Sequence, residues 1–489
     1  MFDRTKTIHM KKAILLTGGL FLILSACSED KEGNTEELDQ LELNEFAAVP
    51  MPNRLFTGDA FPTDSTKILS WADNSDVVNH LETNVDIIDH GWAIWDALTE
   101  MTDEKHDGQQ LRRFDTWYSP DDIKEAYSRR GENKAVNLKH VQRKRGKLKT
   151  PGQFHQGSNA EALTSHEAGI KVMVKFDPSA AQHIYDNDLL YEKTIKGMLK
   201  NGEIANIPDF PTSGVSIKPV YQPLTAKNPD GTYYLQVWPG NGGDDSRPFG
   251  MNAWQTSVKI TLTGKTDVDK GIYSIDEFIH FQIDADQVAS IEGAEVGDYA
   301  VLAAMHVTTR EISRWTWQTY WWSVDNNAPF SPSSDEIAIR RPIDKLDKAS
   351  NHYAMSMAYS MIGPAQPING GSGQVEGATS LYTYNPYLEA GFKPSDAAFI
   401  AGNKVIEDAY GKEVQRVGTQ FNDYGMQTNC MTCHGQARYT GTLNEMFYIG
   451  DQYFESDSKY FKNTVKLDFS WAVALNTIPE TSVKKETEY

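Results

Sequence analysis

The chain has 489 residues and a formal net charge of −20, with 67 acidic against 47 basic residues. A surplus of that sign leaves no domain-wide basic face, which excludes nucleic acid as a partner. Three cysteines, Cys27, Cys430 and Cys433, are too few for a disulfide framework, but a chain this long buries enough surface to rest on its core.

Residues 1–26 read as an export signal. Lys11 and Lys12 precede a short apolar run over 13–24, and Ser25 and Ala26 precede Cys27. About a dozen residues cannot cross ~30 Å of hydrocarbon. Translation from Met10 would give a signal of ordinary length. The ending Leu24-Ser25-Ala26-Cys27 resembles the lipobox of bacterial lipoproteins. That resemblance implies a lipidated Cys27 as first mature residue and a lipid anchor in the cell envelope, facing the periplasm or the cell surface. Residues 27–50 follow as an acidic tether: from Ser28 to Pro50, eight acidic residues stand against Lys31 alone. The composition is that of a disordered spacer, and it also resembles the surface-export signals of some Gram-negative groups.

Residues 51–128 form a helical segment. Ile88, Trp92, Trp95 and Leu98 fall at helical spacing over 86–99, which predicts one apolar face. His90 within it is expected as a packed or surface histidine rather than a ligand. Ser119-Pro120-Asp121-Asp122 carries the signals of a helix start: a capping hydroxyl, proline in the first turn and acids near the positive end of the dipole. Over 129–150 the sign of charge reverses, with nine Lys or Arg against Glu132 alone. One reading is a docking patch for an acidic electron-transfer partner or anionic lipid, the other a mobile solvated loop.

Residues 151–342 change to a period of two. Ile170, Val172, Val174 and Phe176 alternate with Lys171, Met173 and Lys175, which predicts a half-buried strand, and further strands are expected over 215–221, 233–238, 257–262, 278–283 and 299–308. Short strands with no helical pattern between them predict antiparallel pairing in a sandwich or barrel. The segment 315–322 has aromatic residues on both faces: Trp315, Trp317 and Trp321 on one, Tyr320 and Trp322 on the other. Such a strand is buried on both sides or has one face against a flat cofactor or sugar. After Pro342 strand character is expected to end. Gly370-Gly371-Ser372-Gly373 reads as a loop, 396–411 as a helix and 417–426 as a second helix.

That second helix leads into Asn429-Cys430-Met431-Thr432-Cys433-His434, the C-x-x-C-H attachment pattern of c-type haem. Thiols at Cys430 and Cys433 can each add to one vinyl group of a porphyrin, and His434 is then held beneath the iron as its proximal ligand. Zinc would require two further Cys or His ligands at close spacing, and a thiol redox site would leave His434 unexplained. Only Met446 follows His434 as a sixth iron ligand; Met426, Met305 and His306 are upstream candidates, and an open site is the remaining case. His306, Tyr320 and Trp317 would form the distal wall of an open site. No G-x-S-x-G elbow, H-E-x-x-H pair or phosphate loop competes, and His166-Glu167 lacks a second histidine.

With these residues the chain resembles a poorly characterised family of exported bacterial single-haem cytochrome c proteins. The landmarks run from His90 to Ala474: 90–95, Thr116-Trp117, 215–218, Met305-His306-Val307, the strand 315–321 with Asp325-Asn326, the haem motif, and Asp468-Phe469-Ser470. The resemblance implies one covalent haem and electron transfer with an envelope redox partner, and names no substrate. It departs from small class I cytochromes, which keep a long helical stretch between the haem histidine and the methionine that closes the sixth position. The expected fold is α+β: an antiparallel, β-rich, sandwich-like body with flanking helices and a short, mostly helical haem segment at the C-terminus. Three functions remain open at this stage: an electron carrier, a haem enzyme or gas sensor with an open sixth position, and a β-rich region that binds a partner or glycan while the haem reports redox state.

Overall fold

The computed structural model describes residues 46–72, 84–130, 137–141, 143–151, 169–240, 250–359, 383–390, 406–407, 413–414, 430–441 and 457–480. The fold is α+β, with helices set around antiparallel-rich sheets. Cys27, the signal, most of the tether, the Gly370–Gly373 stretch, 417–426, Met426 and Met446 lie outside the described residues. Among the described residues no helix is long and apolar enough to cross a membrane.

Helix α1 (Val85–Thr99) begins where the Asn84 side chain accepts a hydrogen bond from Ile87 N at 3.0 Å. The expected apolar face is instead burial on nearly every side, His90 included. Helix α2 (Pro120–Arg130) starts as its sequence signals: the Asp122 carboxylate accepts from Ser119 N at 2.6 Å and from Ser119 Oγ at 2.8 Å. Between the helices a hairpin, Met101–His106 with Gln109–Arg112, turns on Asp107 and Gly108, whose φ values are 49° and 77°. Asp-Gly supplies the two positive φ angles such a turn needs, a hairpin signal carried by the sequence itself.

The remaining elements that position the site are β1 (Lys171–Val172), β2 (Lys175–Phe176), α3 (Pro178–Asp186), β3 (Ile204–Asn206), β4 (Val215–Pro223), β5 (His280–Gln282), β6 (Tyr299–Thr309), β7 (Thr316–Trp322), β8 (Tyr353–Tyr359), α4 (Cys430–His434), β9 (Arg438–Tyr439), β10 (Thr464–Lys466) and α5 (Trp471–Leu475). The main sheet runs β8-β7-β6-β4-β1, with β5 also on β6 and β2 also on β4, every pair antiparallel. A second sheet runs β9-β10-β3, its β10/β3 pair parallel. A third joins Tyr233–Gln236, Ser257–Thr261 and Ile272–Ser274.

Register decides what each face of the main sheet carries. Lys218, His306, Thr319 and Ser356 form one cross-strand row, and Thr308, Trp317 and Ala358 the row two residues along. Side chains alternate across a strand, so these share a face, while Met305, Gln318, Tyr320 and Met355 project from the other. That other face takes α1. Tyr320 donates to the Gly91 carbonyl at 2.6 Å and stacks on Trp95 with ring centroids 4.4 Å apart. A Cβ on Gly91 would lie 2.7 Å from Met355 Sδ, so the absent side chain is what lets the helix approach. Every residue of β7 is buried, as expected of a strand covered on both sides.

Four expectations need correction. Strand character does not end after Pro342: Tyr353–Tyr359 forms β8, buried throughout, and its Ala and Met residues carry no alternation to reveal it. Helix α3 interrupts the β-rich region, started by Asp177, whose carboxylate accepts from Ala180 N at 2.9 Å and Ser179 N at 3.1 Å with Pro178 in the first turn. Ile406 and Glu407, expected within a helix, pair as a strand with Val414 and Glu413. Lys175, placed outward by alternation, is fully buried and donates to the Asp115 carbonyl.

The basic stretch also departs from both of its readings at two residues. Arg143 is 1% exposed, with its guanidinium 4.1 Å from the centre of the Tyr118 ring and a hydrogen bond to the Thr116 carbonyl. Arg145 is buried against Phe281 and pairs with Asp115 at 3.1 Å. Planar guanidiniums stack on rings, and here that stacking takes part of a basic run into the core. Lys144 and Lys149 stay exposed and pair with Asp286 at 2.8 Å and Asp121 at 3.4 Å.

Candidate haem site

Helix α4 is a single turn, Cys430–His434. Its helical backbone brings positions 430, 433 and 434 to one side of the turn. Met431 is fully buried in a core cluster with Trp315, Trp317, Tyr439, Val465, Leu467 and Trp471. The Cys430 thiol is half-buried, with Sγ 3.7 Å from the Thr383 carbonyl. The Cys433 side chain lies outside what is described.

The segment is held to the body through its own sheet. Ala437 N donates to the His434 carbonyl at 3.0 Å, β9 follows at once, and its partner β10 ends in the turn 467–470, where Leu467 N donates back to the Ala437 carbonyl at 3.0 Å. This closed path brings the Phe469 carbonyl to His434 Nδ1 at 2.7 Å. A carbonyl oxygen can only accept, so Nδ1 carries the proton and Nε2 keeps its lone pair. An imidazole in this tautomer is ready to bind a metal through Nε2, and the carbonyl bond makes it a more basic ligand. The ring sits deep in protein although the residue keeps part of its surface. That desolvation, together with nearby His306 and Lys218 and against the Phe469 bond, pushes its protonation down to about 3, so His434 is neutral at neutral pH.

The turn that presents this carbonyl is backbone of a kind L-residues avoid. Asp468 and Phe469 have φ of 44° and 65°, and the left-handed region costs about 1–2 kcal/mol for each such residue. Asp468 Oδ2 accepts from Phe210 N at 2.9 Å and from Arg310 Nε at 2.9 Å, so the turn is fastened from two elements of the body.

The main sheet supplies the wall beside the histidine. The Trp317 ring lies 4.3 Å from the His434 ring, tilted by 43°, and its Nε1 donates to the Arg314 carbonyl at 2.9 Å. His306 shares that face, with Nε2 3.1 Å from Glu389 Oε1. Of the three residues expected around an open site, Trp317 and His306 are therefore gathered with His434. Tyr320 is not: it lies on the α1 face, as does Met305, which is fully buried there. Sequence reasoning missed Arg310, Thr383 and Glu389, and gave Asp468 and Phe469 no role beyond a landmark, because tertiary contact alone gives these residues meaning. A separate cluster at the hairpin tip, His106, Asp107 and Asp284, brings three ligand atoms within 4.8 Å of one another. Asp284 there already caps the helix Ala285–Val288.

Among the described residues, the Cys430 thiol and, at helical spacing, a histidine whose Nε2 is unprotonated are donors of the kind that could hold haem c. No family model, no curated protein and no solved structure matches this chain.

Proposed function

We propose that this chain is an exported, lipid-anchored member of a single-haem cytochrome c family that carries electrons within the cell envelope. Cys430 and Cys433 hold one haem covalently, His434 is its proximal ligand and Cys27 bears the lipid. The finer architecture belongs to the same proposal: a sandwich-like β body with flanking helices, ending in a mostly helical haem segment. The observation that carries the reading is the 2.7 Å bond from His434 Nδ1 to the Phe469 carbonyl, which fixes the tautomer an iron ligand requires. Haem bound there would supply a one-electron couple; the chain's own residues orient the imidazole and exclude water from one side of it through Trp317.

One observation favours a second reading, a haem enzyme or gas sensor. His306 is engaged by Glu389 and Met305 faces α1, so two of the four residues considered for the sixth position are committed elsewhere. The visible spectrum of the reduced protein before and after carbon monoxide separates the two. An unchanged spectrum means a filled sixth position and supports the carrier; a shifted Soret band means an open one and supports the enzyme or sensor. Protein matured in cells that attach c-type haem should stain for haem on a denaturing gel, and Cys430→Ala and Cys433→Ala should weaken that retention. An unstained wild-type band would end both readings.

A further inference from the structure

We infer that Arg310 and Asp468 form a strut whose task is to aim the Phe469 carbonyl at the proximal imidazole, making them positioning residues for the haem ligand. The inference rests on the haem reading above and goes beyond it, because neither residue belongs to the C-x-x-C-H motif or touches it in sequence.

The strut is built from the main sheet outward. Arg310 follows directly on β6, and its backbone N donates to the Gly214 carbonyl at 2.9 Å, which fixes its root beside the start of β4. Its Nε donates to Asp468 Oδ2 at 2.9 Å, with both side chains at least nine-tenths buried. Asp209 lies 3.6 Å from the same guanidinium but is largely exposed. Phe210 N donates to the same Asp468 oxygen at 2.9 Å, so a charge-assisted bond and a backbone bond converge on one carboxylate oxygen. One residue later the Phe469 carbonyl meets His434 Nδ1.

Two successive residues with positive φ form a turn that relaxes unless something holds it. Ser470 N closes the turn onto the Leu467 carbonyl at 2.8 Å, and the Asp468 carboxylate, held by Arg310 and Phe210 N, fastens the closed turn to the body so that the Phe469 carbonyl keeps its direction. The next residue of the β6–β7 connection, Glu311, turns to the other side of the sheet. It accepts from Thr63 N at 2.6 Å and lies 3.4 Å from His90 Nε2. The connection is thereby pinned from both faces, a rigid base for Arg310. Outer partners of this kind set the tautomer and basicity of a ligating imidazole.

The test uses the full chain and two substitutions that change local charge in opposite directions while breaking the same strut, Arg310→Ala and Asp468→Ala. In the haem-loaded protein the readout is the iron–histidine stretching frequency of the ferrous form by resonance Raman. In the haem-free full chain it is the His434 tautomer by 15N NMR. A positioning role lowers the frequency in both variants. It also cuts the Nδ1-H to Nε2-H ratio roughly tenfold, as loss of one hydrogen bond worth about 1.4 kcal/mol does. Arg310→Lys, which keeps a cation but not the fork, should fall between wild type and Arg310→Ala and serves as the folded variant if alanine unfolds the chain. Unchanged frequency and tautomer in the folded variants, or shifts of opposite sign in the two, overturn the inference. A wild-type chain that takes up no haem sinks the cytochrome reading, while the NMR measurement still judges the strut.

Discussion

Replacing Lys175 by Met should flatten the pH dependence of stability above neutrality. Lys175 is fully buried, donates to the Asp115 carbonyl and lies among Arg143, Arg145, Asp115 and Asp122. Burial pushes its ammonium down to about 7 from an ordinary 10.5, with Asp115 opposing and Arg143 adding to the shift. Between those values the unfolded chain holds a proton at this lysine that the folded chain has released. Stability therefore rises with pH across that window, at a slope approaching about 1.4 kcal/mol per pH unit. Below pH 7 both states are protonated and the slope vanishes. Methionine has similar length and no proton to exchange, so between pH 7 and 9 the wild type should gain about 2 kcal/mol relative to the variant. Urea unfolding followed by tryptophan fluorescence at pH 7, 8 and 9 measures this. Parallel stability curves for the two proteins would refute the reasoning.

Other substitutions probe the frame around the site. Asp177→Ala removes the acceptor of three backbone N–H groups, Ala180, Ser179 and Val215, the last at 2.8 Å, and should lower unfolding stability by about 2 kcal/mol, whereas Asn should restore most of it. Gly91→Ala forces a methyl onto the Met355 thioether and should cost about 1–3 kcal/mol; a neutral result in the same urea titration would mean that the Met355 side-chain end or α1 gives way and the approach is not tight. Trp317→Ala removes a buried ring and the wall beside His434 and should cost about 3–5 kcal/mol, read by thermal unfolding of the haem-free and haem-loaded chains. A loss under 1 kcal/mol in both would show that the ring is not packed as described.

How much of this was legible in the sequence depended on whether the cause was local. The α2 start was legible because Ser119 and Asp122 satisfy each other within one turn, and the strands at 215, 257 and 299 because one face of each repeats. The motif singled out His434, but its Phe469 partner could not be read from it. Strand β8 was not, since Tyr-Ala-Met-Ser-Met-Ala-Tyr is buried on both faces and carries no period. Nor were Lys175 and Arg143, whose burial depends on carbonyls and rings from other parts of the chain. The division of the aromatic strand was half legible: alternation correctly separated Trp317 from Tyr320, but which face meets the haem motif depends on the β9-β10-β3 sheet. No local pattern announces that pairing, because its β10/β3 strands are parallel and more than 250 residues apart in sequence.

The most direct test of the cytochrome reading is the intact mass of the mature protein under denaturing conditions, taken from cells that attach c-type haem. The account predicts a mass of the lipidated polypeptide plus one haem, the haem increment being retained when the chain is unfolded and lost when Cys430 and Cys433 are both replaced by Ala. A polypeptide mass with no haem, from cells that mature another c-type cytochrome normally, would contradict it.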